Sequence, residues 1–446
     1  MAASVRRSDG AATGRFYRAV WRWHFYAGLA VLPLLVWLAV TGALYLYKPE
    51  IERLLYRAWL QAAPERPPLP IDAVIAAVER QLDGRVTQLM LPASKRESWQ
   101  ATVVLGDGSR RTAFVDPADG KVKGSVPPGG AMKQVRDLHS LVITGSIGNA
   151  LVEIAAGWAI LLVLSGFYLW WPRSPNRALA LRGKPRERRF WRDFHASAGA
   201  LVGLVLLFLA LTGMPWSGRW GRTVQAIVAS NGLGRPPAPG PAPWELQAGH
   251  GGHGRETLPW SRQAAPAPAG RMRHGGSDIG AARAAAIATA HGLLPPWTMS
   301  LPAAPGAPYM ISRTIRRADD ARALYIDAAD GRVLQDARYA DFGKGAQAIE
   351  WGIAVHQGQQ YGEINRLIML AGCLGTLALA LSAPVLCWKR RSGGQLRAPP
   401  VPDRHSARIV AAMMVAVGAL FPLTGATMIA ALIGEFIAGR FSRSRP

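Results

Sequence analysis

The hydrophobic positions of this chain are concentrated in five long runs. Each reaches the roughly 20 residues that a helix needs to cross a bilayer, and together they cover Phe25–Tyr47 and about 149–171, 195–216, 365–388 and 407–435. The fifth run contains Pro422 and Gly425, so it is either one kinked helix or a tight re-entrant hairpin. The lack of a polar loop inside it favours one helix. The pattern predicts a polytopic α-helical membrane protein with about five transmembrane helices.

Positive charge is unevenly distributed around these runs. Arg and Lys are dense in the N-terminal tail and in the links after the second and fourth runs, RSPNRALALRGKPRERRFWRD and KRRSGGQLRAPPVPDRHSAR. Because basic loops stay on the cytoplasmic side, we expect a multi-pass membrane protein with its N-terminus in the cytoplasm. The basic tail RFSRSRP then falls outside, a conflict that a C-terminal hairpin would remove.

Composition narrows the classes of function. The 446 residues carry a net charge of +24, but only 18% are charged, against about 25% in soluble domains. No groove-reading or base-stacking module accompanies the basic charge, so it does not indicate nucleic acid. The two cysteines, Cys373 and Cys387, exclude a disulfide framework and a Cys-based iron–sulfur or zinc site. They lie roughly 21 Å apart along a helix, which is too far for a disulfide.

The chain is internally duplicated. The first and third runs are related by an offset of 171 (195 − 24 = 171), kept by the pairs His24/His195, Gly28/Gly199, Thr41/Thr212 and Gly42/Gly213. The second and fourth are related by an offset of 217 (356 − 139 = 217), kept by His139/His356 and Trp171/Trp388. Each unit is therefore predicted to be an outward-running helix, an external domain and a return helix.

The external segments repeat as well. Residues of about 68–125 and 277–337 each offer a helical stretch, IDAVIAAVERQL or IGAARAAAIATAHG, and then alternating strands that end in FVDPADGKVKG or YIDAADGRVLQ. The D-x-A-D-G elements recur at an offset of 211 (327 − 116 = 211) and predict hairpin turns. Each segment is thus expected to be a small α+β module, while residues 232–276, rich in Pro, Gly and Ala, predict a flexible loop.

These patterns divide the chain into consecutive segments. They are 1–48 (cytoplasmic tail and first span), 49–130 (first periplasmic module), 131–172 (amphipathic helix and second span), 173–190 (basic cytoplasmic loop), 191–216 (third span), 217–276 (Pro/Gly-rich periplasmic loop), 277–345 (second module), 346–389 (amphipathic helix and fourth span), 390–406 (cytoplasmic loop) and 407–446 (fifth span and tail).

Five of the nine histidines lie at entrances to the apolar runs: His24, His139, His195, His356 and His405. One such histidine is usually interfacial or a helix cap, but ionisable residues at membrane depth indicate function. Zinc usually takes Cys or carboxylates beside His, and no HExxH motif is present. Axial imidazoles from two helices suit haem b, because the porphyrin supplies the other four nitrogens. The absence of CxxCH excludes covalent attachment through that motif.

Topology decides which histidines pair. His24 and His195 begin outward-running helices, whereas His139 and His356 precede inward-running ones, and a core about 30 Å thick separates the two levels. We therefore expect two haems b, one held by His24 and His195 at the cytoplasmic face and one by His139 and His356 outside. His405 is a spare ligand or an alternative partner of His195.

Several further residues bear on these sites. Gly28 and Gly199 follow their histidines by four positions on the same helix face, where a flat macrocycle could approach the backbone. His139 and His356 stand in AMKQVRDLHSLVI and AQAIEWGIAVHQ, which predict short amphipathic helices on the outer face, and membrane anchoring is the alternative for them. The remaining loop histidines His250, His253 and His274 are more typical of solvated positions than of a metal site.

The chain resembles the PepSY-associated transmembrane family, also called iron-regulated membrane proteins. The resemblance covers nearly the whole chain and is carried by RWHFYAG, LHSLVITGSIG, FYLWWPR, DFHASAG, VHQGQQYG, CWKRR and the two D-x-A-D-G modules. It implies haem-binding proteins of the bacterial inner (cytoplasmic) membrane with PepSY-like periplasmic modules, some of which reduce ferric siderophores in the periplasm. It also implies ligand roles for His24, His139, His195 and His356, with His405 a weaker match.

We therefore expect a transmembrane haem-dependent oxidoreductase that passes electrons from a cytoplasmic donor to a periplasmic ferric siderophore or similar acceptor. Because no flavodoxin or ferredoxin-reductase module is fused to the chain, the donor would be a separate flavoprotein, ferredoxin or quinol. Copper, sulfur oxyanions and quinones are alternative acceptors, and no catalytic acid–base residue is required. The alternative function is non-enzymatic: membrane-anchored modules that bind a peptide, peptidase or envelope partner.

Overall fold

The computed structural model describes residues 2–62, 66–171, 179–234, 278–304, 306–313, 316–391 and 404–443. The α-helices in these residues are α1 (Ala2–Leu46), α2 (Lys48–Leu55), α3 (Arg57–Leu60), α4 (Ile71–Leu82), α5 (Gly130–His139), α6 (Gly145–Trp170), α7 (Arg188–Gly213), α8 (Trp220–Ser230), α9 (Ala281–Ala290), α10 (Lys344–His356), α11 (Gly362–Trp388), α12 (Arg404–Leu420) and α13 (Pro422–Arg443). The β-strands are β1 (Gly84–Leu91), β2 (Trp99–Leu105), β3 (Arg110–Val115), β4 (Val122–Val126), β5 (Trp297–Ser300), β6 (Tyr309–Arg313), β7 (Arg322–Ile326) and β8 (Val333–Arg338).

The chain divides into two compact units, each discontinuous in sequence. The helical unit comprises Met1–Leu46, Arg136–Thr223 and Ile364–Pro446. The sheet unit comprises Tyr47–Val135 and Val224–Glu363.

Four helical segments of the described chain are long and apolar enough to cross a membrane: Arg15–Leu46, Val142–Trp170, Arg188–Trp216 and Gly362–Trp388, each with a mean hydropathy of 2.0 to 2.2. They coincide with the first four apolar runs. A helix satisfies all of its interior backbone groups within the segment, as an apolar solvent requires. Large apolar side chains such as Leu201 and Leu381 lie 67% and 70% exposed on these helices, which is typical of a surface that faces lipid.

The prediction that the fifth run forms a single helix is wrong. The structure has two shorter helices there, α12 and α13, which break at Phe421. A Cβ placed on Gly418 would lie 2.9 Å from the Cα of Gly425, whereas residues seven apart in one helix are separated by about 10 Å. The segment is therefore a helical hairpin. Pro422 begins α13, at the one helix position where its missing N–H costs nothing, and the two glycines allow the helices to touch.

Small residues also bring the longer helices together. A Cβ on Gly203 of α7 would lie 2.9 Å from the Phe167 ring of α6, and one on Gly372 of α11 would lie 2.6 Å from the Val205 side chain of α7. Such close approaches are typical of helix interfaces in membranes, where packing replaces the hydrophobic effect as the driving force. These approaches join α6 to α7 and α7 to α11, and α1 packs beside α6.

The sheet unit contains one antiparallel sheet of eight strands in the order β4-β3-β2-β1-β5-β6-β7-β8. The two predicted modules each supply four consecutive strands, and β1 pairs with β5 from Gln88 opposite Ser300 to Leu91 opposite Trp297. The predicted module helices appear as α4 and α9. Sequence patterns did not indicate that the two modules share a continuous sheet.

The core of the sheet unit follows from strand alternation. Val86 and Leu89 of β1 and Ala101 and Val103 of β2 are buried against Val74 of α4. In the second module Trp297, Met299, Ile311, Leu324 and Ile326 pack with the alanines of α9. Each module thus buries one sheet face under its helix, as alternating strands beside an amphipathic helix require.

The D-x-A-D-G elements form the predicted hairpin turns. Oδ1 of Asp116 accepts a hydrogen bond from the amide of Ala118 at 3.1 Å, and Oδ1 of Asp327 accepts one from the amide of Ala329 at 2.9 Å. The glycines that end the elements, Gly120 and Gly331, have φ angles of 73° and 81°, which a residue with a Cβ adopts only under strain. The same turn chemistry therefore recurs at the offset of 211.

A carboxylate of the first module caps the helix of the second. Oδ1 and Oδ2 of Asp72, in the first turn of α4, accept hydrogen bonds from the amides of Ala281 (2.8 Å) and Ala282 (3.2 Å) at the start of α9. A carboxylate at a helix N-terminus accepts hydrogen bonds from N–H groups that have no partner within the helix. Its negative charge also interacts favourably with the positive end of the helix dipole. This contact joins the modules on the helix side of the shared sheet.

Candidate functional site

His24 of α1 and His195 of α7 lie side by side within the helical unit. Their ring centroids are 6.4 Å apart and their planes are nearly perpendicular, at 88°. This is the pair of imidazoles that the direction of the helices predicted at one membrane face. The ligand between them stays a prediction.

Each of these histidines is held by a serine from a neighbouring helix. Nδ1 of His24 lies 2.8 Å from Oγ of Ser165 on α6, and Nδ1 of His195 lies 2.7 Å from Oγ of Ser382 on α11. The serines follow the same two offsets as the histidines, since 382 − 165 = 217 and 195 − 24 = 171. One repeated contact therefore links α1 to α6 and α7 to α11.

The serine hydroxyls determine which ring nitrogen carries the proton. Oγ of Ser165 donates to the carbonyl oxygen of Leu161 at 2.7 Å, and Oγ of Ser382 donates to that of Leu379 at 2.9 Å. A hydroxyl has one proton, and a carbonyl oxygen can only accept. With the hydroxyl proton directed to the carbonyl, Oγ accepts the hydrogen bond from the imidazole, and Nδ1 then carries the proton while Nε2 keeps its lone pair. A neutral imidazole with a free Nε2 is the form that ligates a metal.

The spacing of the two rings agrees with a shared metal. With metal–nitrogen bonds of about 2 Å, imidazoles on opposite sides of one ion have ring centres roughly 6 Å apart, close to the observed 6.4 Å. The described residues contain no group of three or more His, Cys, Asp or Glu side chains that could hold a bare ion. A porphyrin iron needs only one or two protein ligands, so this donor set fits haem.

Glycines stand beside these rings, but not all of the predicted ones. A Cβ on Gly166 of α6 would lie 3.3 Å from Cε1 of His24, so this glycine leaves room for the ring. Gly28 and Gly199 instead face Leu162 and Leu379, with a Cβ distance of 3.7 Å in both cases. Their predicted role beside a macrocycle stays a prediction. Gly166 was not predicted, because its partner lies 142 positions away (166 − 24 = 142).

His139, which ends α5, is held in the same manner. Its Nδ1 lies 2.8 Å from Oγ1 of Thr41 on α1, and this hydroxyl donates to the carbonyl oxygen of Trp37 at 2.7 Å. Nδ1 of His139 therefore carries the proton, and burial lowers the pKa of His139 to about 4. A Cβ on Gly42 would lie 3.3 Å from Cε1 of the same ring. The Thr-Gly pair that marked the duplication thus positions His139.

The other predicted histidines are placed as follows. His356 is partly buried at the end of α10 in the sheet unit, and its pairing with His139 stays a prediction. His405 is exposed in the first turn of α12, and its role as a spare ligand also stays a prediction. The loop histidines His250, His253 and His274 lie outside the described residues.

An ion-paired carboxylate lies two residues before His195. Asp193 is 6% exposed, and it accepts hydrogen bonds from Arg182 at 2.7 Å and 3.2 Å and from Arg192 at 2.8 Å. The charge-assisted, bidentate hydrogen bond from Arg182 attaches the preceding basic segment to α7. It holds the N-terminal part of α7, the helix that carries His195.

A second buried carboxylate lies inside a candidate span. Glu153 of α6 is 2% exposed, and its Oε2 accepts hydrogen bonds from the amides of Arg219 (3.2 Å) and Trp220 (3.1 Å) at the start of α8. A carboxylate at a helix N-terminus is electrostatically favoured, which explains an acidic residue in an otherwise apolar run. Sequence analysis passed over it because it interrupts the hydrophobic pattern only once.

Comparison with known proteins identifies a family. A protein-family model described as the PepSY-associated TM region matches residues 21–391, which is most of the chain and takes in His24, His139, His195 and His356. No curated protein matches the chain.

Proposed function

This chain belongs to the family of the PepSY-associated TM region, and we propose that it is a haem-containing inner-membrane reductase. It passes electrons from a cytoplasmic donor to a periplasmic ferric siderophore or similar acceptor. The observation that carries the proposal is the His24–His195 pair, with ring centroids 6.4 Å apart on two transmembrane helices.

The residues of this pair have separate tasks. His24 and His195 would hold a haem b, which would supply one-electron transfer. Ser165 and Ser382 hold the imidazoles in the tautomer with a free Nε2. Gly166 keeps the space beside the His24 ring open. No side chain is assigned as a proton donor, because moving a single electron requires ligation and distance rather than acid–base catalysis.

The proposal extends to a second haem b, whose ligands His139 and His356 were predicted from the sequence. It is supported by His139, which Thr41 holds with Nδ1 protonated, as the serines hold the first pair. Thr212 and His356 are the duplicated counterparts of Thr41 and His139 at the offsets of 171 and 217. His405 remains a proposed spare ligand.

The acceptor follows from the chemistry of iron. Hydroxamate and catecholate oxygens are hard ligands that prefer Fe(III) to the softer Fe(II), by the rule that matches ligand and metal softness. Transfer of one electron therefore loosens the chelate and frees the iron. The basic links predict that the donor side is cytoplasmic and the acceptor side periplasmic.

The alternative function is non-enzymatic binding of an envelope partner. It is supported by the sheet unit, which has its own hydrophobic cores and a cleft lined by arginines. In that case the helices serve only to anchor a module that binds an envelope partner. The two functions differ in whether the purified protein contains haem.

Haem content is therefore the test. The full chain, purified in detergent, is expected to show a Soret band and about two haems per polypeptide in a pyridine haemochrome assay, and His195→Ala should remove one of them. The matched control is His291→Ala, which changes an exposed histidine in the sheet unit and should leave haem content unchanged. A colourless protein that stays colourless after incubation with haem would contradict the reductase proposal.

A further inference from the structure

The sheet unit contains a cleft of about 740 Å³. It lies between α2, α3 and the β3 side of the sheet, and its size is within the roughly 300–1,000 Å³ of small-molecule sites. The charged residues that line it are Lys48, Arg53, Arg57, Arg96, Arg316, Glu50, Glu52 and Glu97. Five basic residues against three acidic ones give the lining a net charge of +2 (5 − 3 = 2).

Among the residues that the structure describes, ion pairs involve only one of these five basic side chains. Nζ of Lys48 pairs with Glu52 at 3.3 Å, one turn along α2. The four arginines form no ion pair with any residue in the described part of the chain. Elsewhere in the sheet unit arginines do pair, as Arg322 does with Asp336 at 2.8 Å. Unpaired guanidinium groups around one cavity are suited to an anionic ligand, because each presents a planar fork of donors to oxygen atoms.

One wall of the cleft is held by aromatic packing and a hydrogen bond. The Tyr56 ring stacks on Trp59 at 5.9 Å and lies 5.4 Å from Phe114, and the Tyr56 hydroxyl accepts a hydrogen bond from the amide of Ala131 at 2.8 Å. Gly130 has a φ of 59°, and a Cβ there would lie 2.8 Å from the Tyr56 hydroxyl. A preformed wall loses little entropy when a ligand binds.

We propose that this cleft binds an oxygen-rich anionic chelate. Resting on the proposed function, the inference is that the ferric chelate that this protein reduces carries negative charge, so that catecholate-type or carboxylate-type chelates are preferred to neutral hydroxamates. Charge complementarity both steers an anion to the cleft and excludes a cation.

Phosphate oxygens offer the same chemistry, and the headgroup of an anionic lipid is a second source of them. Helix α1 contains a candidate span and ends at Leu46, and Lys48 begins α2 two residues later. The experiment therefore needs one arm for a soluble chelate and one for lipid.

The soluble arm is equilibrium dialysis of the full chain in phosphatidylcholine nanodiscs. The probes are gallium(III) tris-catecholate, which is trianionic, and gallium(III) tris-acetohydroxamate, which is neutral. Gallium(III) matches the charge of iron(III) but is not reduced, so binding is measured without electron transfer. The trianionic probe is expected to bind at least about tenfold more tightly than the neutral one. The double variant Arg57→Gln/Arg96→Gln is expected to bind the trianionic probe about ten- to a hundredfold more weakly than the unmodified protein does. Replacement of both by Lys, which keeps the charge, should restore part of the affinity.

The matched control is Arg85→Gln, because Arg85 is an exposed arginine of the same unit that does not line the cleft. It should bind the trianionic probe as the unmodified protein does. Equal affinity for the two probes, or no effect of the Arg57/Arg96 change, would overturn the proposal. The lipid arm repeats the dialysis in phosphatidylglycerol nanodiscs. Probe binding that is present in phosphatidylcholine but lost in phosphatidylglycerol would assign the cleft to lipid headgroups and would overturn the proposal of a chelate site.

The Soret absorbance of the same samples separates this inference from the proposed function. Haem-free protein that binds the trianionic probe contradicts only the reductase proposal. Haem-loaded protein that does not bind it contradicts only the cleft.

Discussion

The imidazole of His195 and the hydroxyl of Ser382 lie 2.7 Å apart on α7 and α11. The 2.8 Å contact between His24 and Ser165 repeats it on α1 and α6. In both cases the hydroxyl donates to its own helix, and with that donation it accepts from Nδ1. Contacts between α1 and α6 and between α7 and α11 thus leave the Nε2 atoms of the two histidines free.

Replacement of Ser382 by Ala is expected to reduce haem affinity about ten- to a hundredfold, the usual effect of removing a partner of a ligating histidine. The Nδ1–H of His195 would lose its acceptor, and the free Nε2 would no longer be favoured over the other tautomer. Haem retained per polypeptide and the midpoint potential of the remaining haem measure the effect. Ser382→Thr keeps a hydroxyl and should restore both values, whereas wild-type retention and potential in Ser382→Ala would show that the contact has no positioning role.

Gly166→Ala should disturb the His24 site, whereas Gly28→Ala should not. The new Cβ would lie 3.3 Å from Cε1 of His24 in the first case and 3.7 Å from a Leu162 methyl in the second. The shorter distance forces the ring to move, while the longer one is an ordinary van der Waals contact. The electron paramagnetic resonance spectrum of the ferric haem reports the orientation of the axial imidazoles. Identical spectra for the two variants would contradict the placement of Gly166.

Asp336→Asn is expected to destabilise the sheet unit by about 1–3 kcal/mol. Burial acts to raise the pKa of Asp336, but the hydrogen bonds and charges of Arg322 and Arg338 outweigh it and hold this pKa below the usual 3.8. Because the folded-state pKa is lowered, the stabilisation is present above pH 3.8 and is lost as the pH falls through the folded-state value. Thermal unfolding followed from neutral pH down to about pH 3 measures this loss.

The control for that variant is Asp319→Asn. Asp319 also pairs with an arginine, Arg317, at 2.8 Å, but the side chains are 47% and 54% exposed. Exposed pairs contribute about 0–1 kcal/mol, so this change should alter the unfolding temperature little. Equal losses in the two variants would mean that burial does not strengthen the Arg322–Asp336 pair.

Glu153→Ala is expected to cost about 1–3 kcal/mol, the usual penalty for leaving a buried donor unsatisfied. The amides of Arg219 and Trp220 would lose the oxygen that caps α8. Glu153→Gln keeps an oxygen acceptor at the same position and should retain most of the stability. Thermal unfolding in detergent compares the two, and an alanine variant as stable as the glutamine variant would show that the cap is dispensable.

The features that the sequence predicts correctly arise from local motifs or from periodic hydrophobic patterns. Apolar runs located the four long spans, because the helix of a span must be apolar along its whole length. The D-x-A-D-G motif located two hairpin turns whose glycines require positive φ. The offset of 171 and the direction of the helices placed His24 beside His195, since residues at equivalent depths in parallel spans lie at one level.

Other features depend on which distant residues meet. The C-terminal hairpin forms because Gly418 and Gly425 touch, a contact that hydropathy does not encode. The pairing of β1 with β5, which joins the modules into one sheet, depends on two strand edges that lie about 200 positions apart (297 − 91 = 206).

The sequence alone therefore determined the four long apolar helices, the two turn motifs and the histidines to be considered as a pair. Only the tertiary structure decided that serines and a threonine on adjoining helices hold those histidines and that a glycine clears the space beside one ring. It also decided that four arginines with no ion pair among the described residues line one cleft. The physical reason is range: hydropathy and turn propensity act over a few consecutive residues, whereas a hydrogen bond or a shared cavity depends on the packing of helices and strands that are remote in the chain.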